Sequence, residues 1–254
     1  MNENPANQEF GNLPNDPQPT TLAVAVYENI RRDIRSGILA PGQALRTDWL
    51  KSHYKTGVSP MREALSRLAA EYMVTAERKR GYRVSKISEG DFDELVDLTN
   101  DLEMRAIELS IANGDDDWES AIVASFHKLT KTSPPGLNDD ASLIEERELR
   151  HRKFHNALVS ACGSRWRLRF LNHLFSHLER YRRIMTSSRK ISKEVAKEIE
   201  EEHRALMNSF IDRNSAEARA ILEVHRNRTI LAIKRAFALE KNAFSQPSPE
   251  SIKT

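Results

Sequence analysis

The chain has 254 residues and a mass of 29.1 kDa, room for one large domain or two modest ones. Its 39 Lys and Arg against 37 Asp and Glu leave a net charge of +2, and 30% charged residues with a mean hydropathy of −0.61 describe a soluble chain rich in solvated helix faces. No apolar run reaches the roughly 18 residues of a membrane span, the first twenty residues lack a signal peptide's apolar core, and the single cysteine, Cys162, cannot close an intrachain disulfide. A secreted, membrane-spanning or cysteine-zinc protein is therefore not expected, whereas a reducing, cytoplasmic setting is.

Residues 1–20, rich in Pro and Asn, read as a disordered tail. Residues 21–88 hold 13 basic against 6 acidic residues, a balance of +7, while the first twenty carry −3 and residues 89–254 carry −2. A basic head on a slightly acidic body favours a polyanion partner for the head alone, although an ordinary solvated basic face gives the same count. Within the head, Val24, Tyr27, Ile30 and Ile34 form a helical stripe that stops near Gly37, and Pro41-Gly42 turns the chain. A short helix is expected over Thr47–His53. Another begins after Ser59-Pro60, with Pro60 suited to a first turn, and carries Met61, Leu65, Leu68 and Ala69. Met73–Glu77 and Tyr82–Ser85 read as strands joined by the basic turn Arg78-Lys79-Arg80-Gly81. Three short helices closed by a two-stranded hairpin is the order of a winged helix-turn-helix.

From residue 89 onward the period is helical throughout. Six helices are expected at about 89–112, 116–131, 140–161, 165–187, 191–212 and 215–239, parted by Asn113-Gly114, Ser133-Pro134-Pro135-Gly136, Gly163-Ser164, Ser187-Ser188 and Arg213-Asn214. Asn214 with Glu217 three residues later resembles a capping box. The fold class is thus mainly α: a winged head at 21–88, an all-helical bundle at 89–240, and a flexible tail at 241–254.

A winged helix-turn-helix lays its second motif helix in the major groove of DNA with the hairpin tip beside it. That helix offers Ser59, Pro60, Arg62 and Arg67, the tip offers Arg80 and Gly81, and Arg46 stands at the entry to the middle helix, where a phosphate would lie. Arg62 reads equally as a partner of Glu63 or Glu71, and Arg67 as a plain surface residue. The run Gly57-Val58-Ser59-Pro60-Met61-Arg62-Glu63-Ala64-Leu65-Ser66-Arg67-Leu68, followed by Glu71, Val74 and Arg80-Gly81-Tyr82-Arg83-Val84, resembles the GntR family of bacterial regulators. Pro60, Arg62, Glu63, Leu65 and Leu68 match the family's pattern. Val58 replaces its arginine and Ser59 its threonine; since that arginine commonly reaches a base, the family's operator does not carry over.

The bundle repeats one unusual feature. Of eight histidines, His151/His155 and His173/His177 stand four apart, a spacing that puts both rings on one helix face. His151, His155, Leu158 and Cys162 share a stripe, His203 falls in that of Val195, Ile199, Leu206 and Phe210, and His225 in that of Ala218, Leu222, Thr229 and Ala232. A lone histidine in such a stripe is usually a hydrogen-bonded core residue, but four converging from three helices point to a transition-metal site. The bundle is also similar to the FCD branch of GntR proteins, many of which bind a metal through aspartate-x-x-x-histidine on one helix and histidines on two later ones. On that resemblance His155, His203 and His225 are ligands and His151 stands at the aspartate position. A neutral all-imidazole set leaves a divalent ion its full charge and favours zinc or nickel over manganese; alternatively, three histidines bind and His151 does not.

Leu149-Arg150-His151, Phe154-His155, Cys162-Gly163-Ser164 and Arg180-Tyr181-Arg182 are similar to CsiR-type regulators of carbon-starvation genes, whose response to glutarate implies a small dicarboxylate effector. Arg182, with Tyr181 beside it, is the candidate for the second carboxylate. Thr99 occupies the position, four before Glu103, where many members carry an arginine. The resemblances together imply a homodimeric regulator, not an enzyme, on a palindromic DNA operator, with repression relieved by the effector. Two rivals differ in class: a metal-dependent hydrolase or oxygenase, which lacks an evident general base because Glu202 and Glu148 point away from the histidines next to them, and a DNA-binding protein whose bundle only dimerises.

Overall fold

The computed structural model describes residues 21–78, 81–132, 141–188 and 192–245; the expected tail at 1–20, the Ser133–Gly136 separator, Arg80 and residues 246–254 lie outside them. The described chain forms two compact units. One comprises the chain up to Ser88 together with Gly163–Arg180, the other Glu89–Cys162 together with the chain from Tyr181.

The first unit opens with α1 (Leu22–Arg35), whose Thr21 cap accepts a hydrogen bond from the Val24 amide and whose last turn carries Arg32 and Arg35, charges suited to a helix C-terminus. Its stripe of Val26, Tyr27, Ile30 and Ile34 packs on Leu50 of α2 (Thr47–His53) and on Met61, Ala64, Leu65 and Leu68 of α3 (Val58–Ala70) in one buried core. Pro60 is the third residue of α3, still within the first turn, where its missing N–H costs no helical bond. Three strands complete the unit where two were expected, the first of them between α1 and α2. β2 (Val74–Glu77) and β3 (Gly81–Val84) pair antiparallel with Thr75 opposite Arg83, and β1 (Ala44–Leu45) pairs on the other side of β3, giving the order β1-β3-β2. Two residues are too few to show alternation, so only the pairing reveals β1. Gly81 opens β3 at φ +85°, a backbone setting that favours glycine.

Polar groups bind this core together. Tyr27 donates to Glu71 at 2.6 Å and Tyr54 to the buried Asp33 at 2.7 Å. Arg83 holds Glu77 across the hairpin at 2.8 Å and the Gly42 carbonyl at 2.6 Å. The sequence assigned all of α7 (Arg165–Ser188) to the bundle, but its portion up to Arg180 packs with the head. The reason is a row of long-range bonds. Glu179 accepts two hydrogen bonds from Arg35, at 2.9 and 3.0 Å, in a pair only 13% and 6% exposed. Ser176 accepts from Arg31, His177 donates to the Glu71 carbonyl at 2.9 Å, and Arg180 donates to the Ser85 carbonyl.

The second unit is built from α4 (Glu89–Asn113), α5 (Asp116–Thr130), α6 (Ala141–Val159), the end of α7, α8 (Lys193–Ile211) and α9 (Ser215–Ser245). Asp115 caps α5 by accepting from the Trp118 amide, and Ser192 caps α8 by accepting from Val195. The capping box at Asn214 is modified: Asn214 accepts from the Glu217 amide and returns a bond to the Glu217 side chain instead of receiving one at its own amide. Phe92, Ile107, Ile122, Phe126, Phe154, Leu206, Phe210 and Leu222 fill the core. Trp118 is locked in by a hydrogen bond to the Ala157 carbonyl and by the bare backbone of Gly114, where a Cβ would lie 2.0 Å from its ring. α9 runs to Ser245, five residues into the segment read as a tail, because no Pro or Gly interrupts the chain before Pro247. Among the described residues no helix is long and apolar enough to cross a membrane.

Candidate metal centre and nucleic-acid interface

In the head, the exposed side of the helix-turn-helix carries the residues expected there. Ser59 and Arg62 are exposed on α3, Pro60 is half-buried at its start, and Arg46 is exposed at the N-cap of α2. The internal alternative for Arg62 is not realised. Glu71 is engaged by Tyr27, with Arg31 at 3.8 Å, and no carboxylate among the described residues forms an ion pair with Arg62. Arg67 is exposed but has a packing role, its guanidinium 4.2 Å over the Tyr27 ring. Gly81 marks the end of the wing turn, whose Arg80 falls outside the described residues.

In the bundle, α6 brings His151 and His155, α8 brings His203, and α9 brings His225 to one place. One ring nitrogen from each lies within 4.8 Å of the others, and ring centroids are 4.4 Å apart for His151–His155 and 4.5 Å for His203–His225. His155, His203 and His225 are buried and His151 partly so. The helical stripes dictate this: the rings occupy core positions between Phe154, Leu206 and Leu222, so packing the helices necessarily brings the imidazoles together.

The hydrogen bonds then determine which nitrogens are left. A neutral imidazole has one N–H and one lone pair. His203 spends its Nδ1–H on the Ile199 carbonyl at 2.7 Å and His225 spends its own on Glu202 at 3.0 Å, which leaves each Nε2 as a bare lone pair. Nδ1 of His151 and Nε2 of His155 and His203 are buried without a partner. Three orphaned nitrogens at one point would be costly as plain packing, and they are what a soft divalent ion requires. Burial, the largest cause, holds His151 and His155 well below the ordinary histidine pKa and brings His203 down to about 3. These three rings therefore stay neutral and ready to donate at any physiological pH. The residues present fit a metal ion.

Two arginine–glutamate pairs flank the cluster. Arg182 holds Glu148 at 3.2 Å, and Arg226 holds Glu103 and Asn100. Arg182 acts electrostatically on His151 and His155, and Arg226 on His155. The other expected effector residues have their hydroxyls occupied. Thr99 is buried and donates to the Leu95 carbonyl at 2.6 Å, while Tyr181 is wholly buried, packs on Phe92 and Phe237, and donates to Asp91. Glu202 stands next to His203 in sequence but does not orient that ring. Glu202 points instead to His225 on the next helix and is itself held by Arg228 at 2.7 Å.

Residues 22–84 match the family described as "Bacterial regulatory proteins, gntR family", and residues 94–228 match the FCD domain. Among relatives, the HTH-type transcriptional repressor GlaR of Escherichia coli is 34% identical over 219 residues, covering 86% of this chain and 99% of that protein. The HTH-type transcriptional regulator BphR of Paraburkholderia xenovorans is 35% identical over 214 residues, 84% of this chain and 86% of that one. Among solved structures, E. coli McbR/YncC superposes with a TM-score of 0.73 over 85% of this chain and 99% of its own at 18% identity, a likeness of fold.

Proposed function

Because this chain belongs to the GntR family of bacterial transcription regulators and carries an FCD domain, we propose that it is a dimeric repressor whose hold on DNA is set by a small dicarboxylate at a histidine-bound metal. GlaR and BphR are both regulators of transcription, which leaves the metalloenzyme reading without support. One observation carries the sensing half. Four imidazoles from three helices converge within 4.8 Å, with three of their nitrogens buried and unpartnered.

His151, His155, His203 and His225 would hold the ion, zinc or nickel by the softness of the donors. When bound, the ion supplies an uncompensated positive charge that attracts a carboxylate. The chain does the rest: Glu202 fixes the His225 ring, and Arg182 keeps a positive charge beside His151 and His155. With the hydroxyls of Thr99 and Tyr181 occupied, Arg182 is the member of the expected effector trio that retains an electrostatic reach to the site. In the head, Ser59 and Arg62 of α3 read base edges, Arg46 and Arg80 neutralise phosphates, Arg67 steadies α3 against Tyr27, and Gly81 lets the wing approach closely. Two copies on a palindrome follow from two-fold symmetry.

The test is a gel-shift titration on the DNA upstream of the protein's own gene, with protein purified without chelator or histidine tag and assayed for metal. Retarded DNA released by a C4–C6 diacid, only while metal is present, is the expected result. Affinity that no diacid changes, or a metal-free preparation that behaves identically, removes the sensing half and leaves a DNA-binding protein.

A further inference from the structure

Three arginines lie near the histidine cluster, and two of them are occupied. Arg182 is paired with Glu148 and Arg226 with Glu103, in pairs whose side chains are at most 17% exposed. An anion that took either arginine would strand a buried carboxylate, the costliest way to open a buried ion pair. Arg147 is different. Its guanidinium donates to the Thr132 carbonyl at 2.9 Å and forms no ion pair among the described residues. The acids that act on it most, Glu148 and Glu200, are engaged elsewhere, by Arg182 at 3.2 Å and by Arg204 at 2.8 Å. Burial pushes the Arg147 pKa down by more than the charges of Glu148 and Glu200 raise it.

The space beside it suits an anionic head. Arg147 lines a cavity of about 20 Å³ with Phe126, Leu129, Thr130 and His203. That volume holds about one water, the place of a single carboxylate oxygen and not of a whole diacid. His203 belongs to both this cavity and the histidine cluster, so the cavity adjoins the candidate metal centre. Glu200 also lines it, but its charge is met by Arg204.

We propose that Arg147 is the specificity-determining residue of the effector site, receiving the second carboxylate of a diacid whose first carboxylate is drawn to the histidine-bound ion. This rests on the reading of a metal-dependent carboxylate sensor given above. It gives that role to Arg147 in place of Arg182, whose Nε and Nη2 both bond Glu148. A guanidinium pairs a carboxylate through charge-assisted hydrogen bonds, and no ion pair among the described residues has to be broken for Arg147 to do so.

Calorimetric titration of the full-length, zinc-loaded protein with glutarate and with butyrate distinguishes the outcomes. The wild type is expected to bind glutarate at least about tenfold more tightly than butyrate, the scale of one charge-assisted pair. Arg147→Gln, compared at equal zinc content, is expected to bring glutarate down to the butyrate level. Arg147→Lys, which keeps the charge and serves if the glutamine variant does not fold, is expected to lose part of the preference while butyrate is unchanged. Variants that prefer glutarate as the wild type does would overturn the role of Arg147 and leave the sensor standing. A zinc-loaded wild type that binds none of succinate, glutarate, adipate and butyrate would overturn the sensor itself, and this proposal with it.

Discussion

The head and the bundle bury polar groups in opposite ways. In the head, Asp33 meets Tyr54, Glu71 meets Tyr27 and Glu179 meets Arg35, each with its partner at hydrogen-bond distance. Its orphaned buried atoms are single atoms on four different residues, Arg31, Thr56, Arg167 and Arg180, and of these Arg31 and Arg180 bond through another nitrogen. In the bundle, three imidazole nitrogens stand unpartnered in a single cluster. Buried charges met by partners hold a shape, whereas several imidazole nitrogens left open at one point reserve a place for something the chain does not contain.

Breaking a finished pair is the harshest test of that contrast. Glu179→Met strands the Arg35 charge in a setting 13% exposed and is expected to cost about 3–5 kcal/mol in urea unfolding of the first unit. Adding Arg35→Met should recover most of that loss, because what hurts is the unpaired charge; a double variant as unstable as the single would show that the pair itself stabilises the head. In the bundle the metal is what a variant loses most. His203→Ala removes a ligand, so metal affinity should fall by at least about a hundredfold, while the buried ring and its bond to the Ile199 carbonyl go with it at a cost of about 2–4 kcal/mol to the metal-free protein. Equal metal content in variant and wild type by elemental analysis would refute the ligand assignment.

The open cluster also predicts a response to acid. The His203 ring titrates near 3 in the folded protein against about 6.5 in an unfolded chain. Between these values the unfolded chain binds a proton that the folded one refuses, so stability rises with pH across the window. For chelated protein this contribution is complete above about pH 6.5 and lost as pH falls toward 3, roughly 2 kcal/mol by pH 5 for His203 alone. His151 and His155, shifted the same way, add to it. Urea melts at pH 7.5 and 5 measure this, and equal midpoints would mean that the rings are not buried neutral. The smallest expected effect is Glu202→Gln. It keeps the shape but weakens the grip on the His225 Nδ1–H, and metal affinity should drop about tenfold with all four imidazoles in place. An unchanged affinity would reduce Glu202 to an ordinary partner of Arg228.

Periodicity carried most of the fold. α2 spans the expected Thr47–His53, and α5 and α7 end within one residue of expectation, because caps and stripes are local. The histidine set was legible for the same reason: a residue's place on a stripe says which way it faces before the helices are packed. What stayed hidden was non-local. Two residues of β1 carry no pattern of their own, Glu202 serves a ring 23 positions away, and the lack of a counter-ion at Arg147 can be seen only when its neighbours' partners are known. The division of α7 was invisible because Glu179, in sequence, is one more charge on a charged helix, and only the distant Arg35 gives it a side to belong to.

That division bears on how such regulators can be rebuilt by recombination. The compact unit that holds the winged motif is made from two separate stretches of chain, up to Ser88 and from Gly163 to Arg180. A chimaera spliced at residue 88 would import Arg31, Arg35 and the Glu71 carbonyl but leave Ser176, His177 and Glu179 behind with the recipient. Grafting a new operator specificity onto this chain therefore means transplanting both stretches, or re-evolving the seam between them.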